Sequence, residues 1–367
     1  MKLKSIYIDK FLLIIVIILS LIGLINFFSA SSYYSFVKTG NSFKYFFDFF
    51  LKTTVLGFFA FFVGNFLGNN FQKSKPLFLI LFIISYISLY LVFLQPFSVQ
   101  VGEARRWVKI GPINFQPAEI LKPFALLIFI FFLSSNPLSS FKAKLVFIFI
   151  FFLIIALPIF KQPAMTNLLI ILSSLIFASF IFLKNIREYL KVIIFFGILG
   201  LIFVIVGSFL WSYRIERIKA FFTGGKVHEE KIFQLKQTTI AISSGGLLGK
   251  GLGKSQMKLL DIPRLLDDSI FAIFAEEWGF VGSVFLLSLF LLLIFRIITL
   301  AHQTNNLEKK AFALGVAAWI FLQTFIHIIS NIGLFVPTGV VLPFFSWGAS
   351  SQIAIYFSLG LISSFKT

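Results

Sequence analysis

Two pairs of adjacent carboxylates stand near each other in the last third of the sequence. Asp267 and Asp268 precede Ser269 at the start of an apolar run, and Glu276 and Glu277 lie deeper in that run. A carboxylate at the mouth of a membrane cavity is well placed as a general base, and charged groups inside a span are usually functional. Because Asp and Ser directly before a helix are preferred N-caps, we also expect a structural role for at least one of the first three residues.

A cationic segment is the second candidate for chemistry. It precedes an apolar run that starts near residue 117, and its members are Arg105, Arg106, Trp107 and Lys109. Arg binds phosphate through two parallel hydrogen bonds and Trp favours the membrane interface, so the segment suits an anionic lipid headgroup. Anchoring of the chain at the membrane surface explains the same residue types equally well.

The start of the next apolar run carries three more candidate residues. Gln116 precedes Pro117, which is well placed as the first residue of a helix. Glu119 and Lys122 then lie three residues apart on one helix face. This spacing is compatible with substrate contacts, and it also predicts a structural ion pair.

Two further segments combine glycine with candidate polar groups. Residues 245–254 read Gly-Gly-Leu-Leu-Gly-Lys-Gly-Leu-Gly-Lys, which allows tight turns and close approach of the backbone to a ligand but lacks the spacing of a phosphate-binding P-loop. Residues 331–351 are apolar yet broken by proline and glycine, so their backbone is expected to be buried in protein or to line a cavity. Ser346 and Ser350 are the candidate side chains there, and a re-entrant packing element is the structural alternative.

The elements that must position these groups are membrane helices. Of the 367 residues 59% are hydrophobic and 13% are charged, whereas soluble domains are about half apolar. Long apolar runs without alternation exclude barrel strands. We predict an all-α integral membrane protein, one domain over 1–367, with a large extracytoplasmic loop at 212–268. At about 20 apolar residues per helix, the predicted transmembrane helices number about ten, near 11–30, 47–67, 76–95, 117–134, 145–160, 165–183, 189–211, 269–297, 310–335 and 348–365.

The charge of the chain indicates orientation and excludes some partners. The net charge is +18, but the cations stand between apolar runs without interleaved polar aromatics, so nucleic acid is not an expected partner. Most short connections with Lys or Arg fall on the side of the N-terminus, which is therefore expected to be cytoplasmic. The cations at 105–109 and in the 212–268 loop fall on the opposite side. The sequence has no cysteine, and its three histidines share no metal-ligand spacing.

Taken together, these segments resemble the SEDS family, the FtsW, RodA and SpoVE proteins of bacterial cell-wall synthesis. The resemblance covers nearly the whole chain, and it rests on five motifs in the family's order, each of them weak alone. The motifs are Ser-Ala-Ser-Ser at 29–32, Arg-Arg-Trp to Phe-Gln-Pro-x-Glu at 105–119, Gly-Gly-Leu-x-Gly-x-Gly-Leu-Gly at 245–253, Ala-Glu-Glu-x-Gly-Phe-x-Gly at 275–282, and Pro-Thr-Gly to Leu-Pro-Phe-x-Ser-x-Gly-x-Ser-Ser at 337–351.

The resemblance implies a peptidoglycan glycosyltransferase that polymerises lipid II during cell division or cell elongation. It implies a multi-pass protein of the bacterial cytoplasmic membrane whose active site is extracytoplasmic. In the family the position of Asp268 holds the essential carboxylate, which would act as general base on the acceptor sugar 4-hydroxyl while undecaprenyl pyrophosphate leaves. The implied partners are lipid II, the growing glycan strand, a class B penicillin-binding protein, and divisome or elongasome proteins.

The resemblance also implies roles for the expected substrate-binding residues. Five cations are expected to stabilise the leaving group, with a divalent cation, Mg or Mn, as an assisting ion and no organic cofactor. These cations are Arg105, Arg106, Lys109, Arg214 and Arg217. The remaining predicted substrate-binding residues are Trp107, Gln116, Glu119, Lys122, Glu276, Glu277, Ser346 and Ser350.

The chain departs from the family pattern at several positions. The family's Gln-Pro-Asp-x-Gly-Thr is Gln-Pro-Ala-Met-Thr-Asn at 162–167, and its Leu-Pro-Glu is Ile-Pro-Arg at 262–264. Ser269 replaces an aromatic residue, and Glu103 replaces a glycine. The motifs at 29–32, 105–107 and 213–218 resemble FtsW more than RodA.

Two other functions fit a helical membrane protein with charges inside its spans. A flippase for lipid-linked precursors is the first, and it should not require Asp268 as a proton acceptor. A scaffold that recruits other wall enzymes is the second, and it predicts that cells carrying Asp268→Ala grow and divide normally.

Overall fold

The computed structural model describes residues 7–101, 104–111, 113–135, 140–162, 164–183, 185–210, 229–260, 262, 264–336 and 338–365. Its main elements, in chain order, are α1 Lys10–Thr39, α2 Lys44–Asn69, α3 Lys75–Leu91, β1 Ser98–Val101, β2 Ala104–Ile110, β3 Ile113–Phe115, α4 Pro117–Leu133, α5 Phe141–Lys161, α6 Met165–Phe182, α7 Ile186–Leu210, α8 Glu229–Ser244, α9 Leu265–Asp268, α10 Ile270–Gln303, α11 Leu307–Asn331 and α12 Ala349–Ser363. Each of the ten apolar runs predicted from the sequence overlaps one of the helices α1–α7 and α10–α12.

The protein is a multi-pass, mainly helical membrane protein. Within the described part of the chain, six helices are long and apolar enough to cross a membrane, namely α1, α2, α5, α6, α10 and α11. The apolar helices α3 and α12 are shorter, and α4 has 17 residues. The helical fold class is confirmed, whereas the number of ten spans stays a prediction.

Charged residues near several helix ends meet at one end of the helix bundle. Asp9 caps α1 by accepting a hydrogen bond from the Leu12 amide at 2.8 Å, and the same carboxylate accepts from Arg296 Nε near the end of α10 at 3.0 Å. Lys75 Nζ at the start of α3 lies 2.7 Å from Glu308 Oε1 in the first turn of α11. These contacts join helix ends that the cation pattern had assigned to one side of the membrane.

Helices α2 and α12 pack so closely that their contact requires glycine. A β-carbon on Gly360 would lie 1.9 Å from the Phe61 carbonyl oxygen, and one on Gly64 would lie 2.2 Å from the Phe357 carbonyl oxygen. Small residues at helix crossings allow this close approach in membranes, where packing contacts replace the hydrophobic drive. The last helix is therefore fixed against the second.

A small antiparallel sheet of three strands, in the order β1-β2-β3, precedes α4. The sequence analysis did not predict it. The register shifts between Val99 and Gln100, which pair with Trp107 and Arg105, so Arg106 has no opposite residue on β1. Bulges of this kind re-aim side chains, and Arg106 Nε donates to the carbonyl oxygen of Gln162 at 3.1 Å.

The 212–268 segment, expected to be a loop, contains the helix α8. The mean hydropathy of α8 is too low for a membrane-spanning helix, so a search for long apolar segments does not predict α8. Thr238 and Ala241, three residues apart, are both buried, which is the spacing of one helix face. The helix contacts α10, so tertiary packing stabilises this part of the segment.

Candidate functional site

Asp268 ends the one-turn helix α9, directly before α10. The turn begins at Arg264, whose backbone is left-handed (φ 55°, ψ 33°), and the amides of Asp267 and Asp268 donate to the Arg264 carbonyl oxygen at 3.1 and 2.9 Å. A left-handed conformation costs a residue with a side chain about 1 kcal/mol or more. Such strain is held by surrounding structure and is concentrated at functional sites.

The Asp268 carboxylate lies at the rim of the site, beside a cation. Its Oδ2 is 3.9 Å from Arg264 Nη1, and the two side chains are 14% and 42% exposed. Gly339 lies against both groups, since a β-carbon there would be 3.6 Å from Arg264 Nη1 and 3.9 Å from Asp268 Oδ1. A partly exposed carboxylate with a neighbouring guanidinium can accept a proton and can face an anionic ligand.

The neighbouring carboxylate has a different protonation state. The pKa of Asp267 is raised to about 8, because burial and, to a smaller extent, the nearby charge of Asp268 outweigh the opposing effect of Arg264. Asp267 is therefore mostly protonated at neutral pH. Because a protonated carboxyl group cannot act as a general base, Asp267 is less suited to that role at neutral pH than an ionised carboxylate.

Ser269 occupies the N-cap position of α10, but its side chain does not cap the helix. Its hydroxyl instead accepts a hydrogen bond from Gln234 Nε2 of α8 at 2.8 Å. Ser269 therefore has a structural role, as expected for at least one of Asp267, Asp268 and Ser269, although its side chain is not a helix cap. The hydroxyl is used in joining α8 to the Asp268 turn.

Both predicted serines of the 331–351 segment bond to backbone atoms. Ser346 is buried, and its Oγ donates to the Asp267 carbonyl oxygen at 2.7 Å and accepts from the Leu342 amide at 2.8 Å. Ser350 Oγ accepts from the Gln116 amide at 2.9 Å. The later part of this segment is buried, with Leu342 and Phe345 fully enclosed, whereas Leu334 and Phe335 in its first part are exposed. Whether these serines also contact substrate stays a prediction.

Glu119 and Lys122 form the ion pair that their spacing predicts. Lys122 Nζ lies 2.8 Å from Glu119 Oε2 and 3.4 Å from Asn167 Oδ1, and both charged side chains are buried. Pro117 is the first residue of α4, as predicted. The pair joins α4 to α6, and a role in substrate binding stays a prediction.

The structure describes only some of the cationic residues that were predicted to bind substrate. On β2, Arg105 and Lys109 are exposed, and Arg106 and Trp107 are partly buried. Arg214 and Arg217 lie outside the described residues. The cation that the structure places beside Asp268 is Arg264, which the sequence analysis had noted only as a departure from the family pattern.

Glu276 and Glu277 are engaged by protein groups. Glu276 binds Lys250 Nζ at 2.6 Å and the amides of Gln256 and Met257 at 3.1 and 3.3 Å. Glu277 binds Ser29 Oγ of α1 at 2.7 Å and Lys258 Nζ at 3.2 Å. We call the residues 245–258 together with Glu276 and Glu277 the latch. Substrate binding by either glutamate stays a prediction, and it would require some of these bonds to break.

The glycine-rich turn approaches α10 closely. Helix α10 is interrupted at Gly279 (φ 69°, ψ −167°), and the interruption leaves the carbonyl oxygens of Glu276 and Glu277 free to accept from the amides of Lys250 and Gly251 at 2.9 and 3.0 Å. A β-carbon on Gly279 would lie 2.2 Å from the Gly249 amide nitrogen. The glycines thus allow backbone pairing across the interruption.

Comparison with known proteins identifies the family. A family model described as "Cell cycle protein", covering FtsW, RodA and SpoVE proteins, matches residues 9–367. The chain belongs to this family. The FtsW/RodA/SpoVE assignment predicted from five motifs is therefore confirmed over nearly the whole length.

Curated relatives and solved structures agree with the family assignment. The chain is 32% identical to "Probable peptidoglycan glycosyltransferase FtsW" of Borreliella burgdorferi, over 96% of this chain and 94% of that protein. It is 30% identical to "Stage V sporulation protein E" of Bacillus subtilis, over 96% and 95%. A chain from "Structural coordination of polymerization and crosslinking by a peptidoglycan synthase complex" matches with a TM-score of 0.76 at 25% identity, over 97% and 96%.

A second solved structure supports the fold alone. The rod shape determining protein RodA of Thermus thermophilus matches with a TM-score of 0.65 at 24% identity, over 97% of this chain and 96% of that one. The FtsW names among the relatives at 30% identity or more favour the predicted similarity to FtsW.

Within this FtsW/RodA/SpoVE fold, the sequence analysis missed two groups that contact the Asp268 turn. Arg264 is one, and its signal was the Arg in place of the family's Glu. Asn331 is the other, since its Nδ2 donates to the Asp268 carbonyl oxygen at 2.9 Å. A lone Asn at a helix end carries no distinctive signal in a single sequence.

Proposed function

We propose that this protein is a peptidoglycan glycosyltransferase that polymerises lipid II. The observation that carries the proposal is the full-length family match, with a partly exposed carboxylate, Asp268, at the position of the family's essential carboxylate. Relatives named peptidoglycan glycosyltransferase support the same activity.

In the proposed reaction Asp268 accepts the proton of the acceptor sugar 4-hydroxyl as that oxygen attacks the anomeric carbon of the donor. The glycosidic bond forms while the bond from the anomeric carbon to the diphosphate oxygen breaks, and undecaprenyl pyrophosphate leaves with the electron pair. General base catalysis of this kind contributes about 10²- to 10⁴-fold. Arg264 lies beside Asp268, and we add it to the cations predicted to stabilise the leaving group, Arg105, Arg106, Lys109, Arg214 and Arg217.

The expected divalent cation would be bound mainly by the diphosphate of the substrate. Among the described residues, no group of three or more His, Cys, Asp or Glu side chains could hold a metal ion. Mg²⁺ commonly takes ligands from substrate phosphates with only one or two carboxylates. Such an ion would neutralise part of the diphosphate charge.

The proposal places the N-terminus in the cytoplasm and the Asp268 site on the outer face of the bacterial cytoplasmic membrane. The basic helix ends near Asp9 and Lys75 support this orientation. A class B penicillin-binding protein is the proposed partner, supported by the structural match to a chain of a peptidoglycan synthase complex. The divisome or the elongasome would be the larger assembly.

The test is polymerisation by purified protein. Lipid II is supplied with the cognate transpeptidase, and the products are separated on a gel. Polymer from the wild type and none from Asp268→Ala is the expected result. A flippase or a scaffold predicts instead that wild type and Asp268→Ala give the same products, and that outcome would exclude the proposed role of Asp268.

A further inference from the structure

Three successive carbonyl groups of the Asp268 turn each receive a hydrogen bond from the same C-terminal region. The Leu266 oxygen accepts from the Trp347 amide at 3.0 Å, the Asp267 oxygen from Ser346 Oγ at 2.7 Å, and the Asp268 oxygen from Asn331 Nδ2 at 2.9 Å. The last carbonyls of a helix have no partner within the helix. In the one-turn helix α9 these three depend on donors from elsewhere.

The donors are themselves held in place. Asn331 is the buried last residue of α11, and its Nδ2 also donates to the His327 carbonyl oxygen of that helix at 2.8 Å. Ser346 is fixed by the Leu342 amide. Each side chain therefore joins the Asp268 turn to a rigid, buried part of the protein.

We infer that Asn331, Ser346 and the Trp347 amide form a clamp that positions Asp268, and that Asn331 is a positioning residue for the glycosyl transfer. This inference rests on the proposed function for its kinetic consequence. Its structural basis, the three bonds to α9, does not depend on that function.

The clamp is needed because α9 has little stability of its own. A single helical turn fixes several residues for very few hydrogen bonds, and this one begins at the strained Arg264. Loss of the Asn331 bond would allow the end of α9, and with it the Asp268 carboxylate, to move. A displacement of about 1 Å at a reacting group can lower the rate about a hundredfold.

The first test compares Asn331→Leu with Ser330→Ala. Leu has a branched shape like that of Asn and cannot donate a hydrogen bond, whereas Ser330 Oγ donates to the His327 carbonyl oxygen at 2.9 Å and provides a matched control. In lipid II polymerisation, Asn331→Leu is expected to lower kcat about tenfold or more while KM changes by less than about twofold. Ser330→Ala is expected to behave as the wild type.

The second test needs no turnover. Amide hydrogen exchange of Asp267 and Asp268 is expected to be faster in Asn331→Leu than in the wild type and Ser330→Ala, with exchange in the core of α10 unchanged. Unchanged exchange at α9 would overturn the clamp, and so would faster exchange throughout α10 and α11, which indicates a general packing role. A wild type without polymerase activity would overturn the proposed function, and the exchange result would still decide the clamp.

Discussion

The two pairs of adjacent carboxylates, eight or nine residues apart, have opposite surroundings. Glu276 and Glu277 are buried and bind lysines, hydroxyls and amides of the latch, and the Glu277 side chain has no exposed surface. Asp267 and Asp268 are partly exposed, and Asp268 Oδ2 lies 3.9 Å from Arg264 Nη1. The deeper pair is enclosed by the latch, whereas the outer pair keeps partial contact with solvent.

This difference separates two tasks that looked alike in the sequence. Removal of one partner of a buried ion pair destabilises a protein strongly, so a buried carboxylate with several partners is tied to the structure. A partly exposed carboxylate, whose backbone is held by the clamp, can meet a ligand that approaches from solvent. We therefore expect substitutions in the outer pair to lower activity and substitutions in the inner pair to lower the stability of the fold.

The largest expected effect is on activity at Asp268. Asp268→Asn removes the proton acceptor and is expected to lower lipid II polymerisation by about 10²- to 10⁴-fold. Thermal unfolding in detergent should change little, because Asn is isosteric and the ion pair with Arg264 is partly exposed. Normal polymerisation by Asp268→Asn would contradict a catalytic role for the outer pair.

The next effect concerns stability at the latch. Glu277→Ala leaves Lys258 buried without its carboxylate partner and is expected to destabilise the fold by about 3–5 kcal/mol. Thermal unfolding measures the loss. The double variant Glu277→Leu with Lys258→Met removes both charges and should recover part of it. Equal stability of Glu277→Ala and the wild type would contradict a structural role for the inner pair.

A smaller loss of stability is expected at the interruption of α10. Gly279→Ala places a side chain at a φ and ψ that are almost restricted to glycine, and its β-carbon would meet the Gly249 backbone. The expected cost is about 2–3 kcal/mol. Gly197→Ala in α7 is the control, because a β-carbon there meets nothing within 4 Å. Similar melting temperatures of the two variants would show that the interruption tolerates a side chain.

The last expected effect is a pH dependence at the outer pair. The pKa of Asp267 is raised from its ordinary value of 3.8 to about 8 in the folded protein, so the folded state holds a proton that the unfolded state releases. Its contribution to stability is complete below about pH 4 and is lost as the pH rises toward 8. Asp267→Asn should flatten the fall of melting temperature between pH 5 and about 8. Parallel curves for the two proteins would argue against a protonated Asp267.

Much of the candidate site followed from local sequence. The helix start at Pro117, the ion pair of Glu119 and Lys122, and the burial of residues 342–346 depend on residues close together in the chain. The latch, by contrast, joins residues 250–258 to Glu276, Glu277 and the distant Ser29. Ion pairs across such separations have no periodic signal in one sequence.

The sequence by itself determined that this is a helical membrane protein and where most of its helices lie, because the length and apolarity of a span are local properties imposed by lipid. Its ordered motifs also determined the family. Only the tertiary structure decided which carboxylates are enclosed by the protein and which stay partly exposed. That outcome depends on the groups that folding brings to them, Lys250 and Lys258 at the inner pair and Asn331 and Ser346 at the outer one.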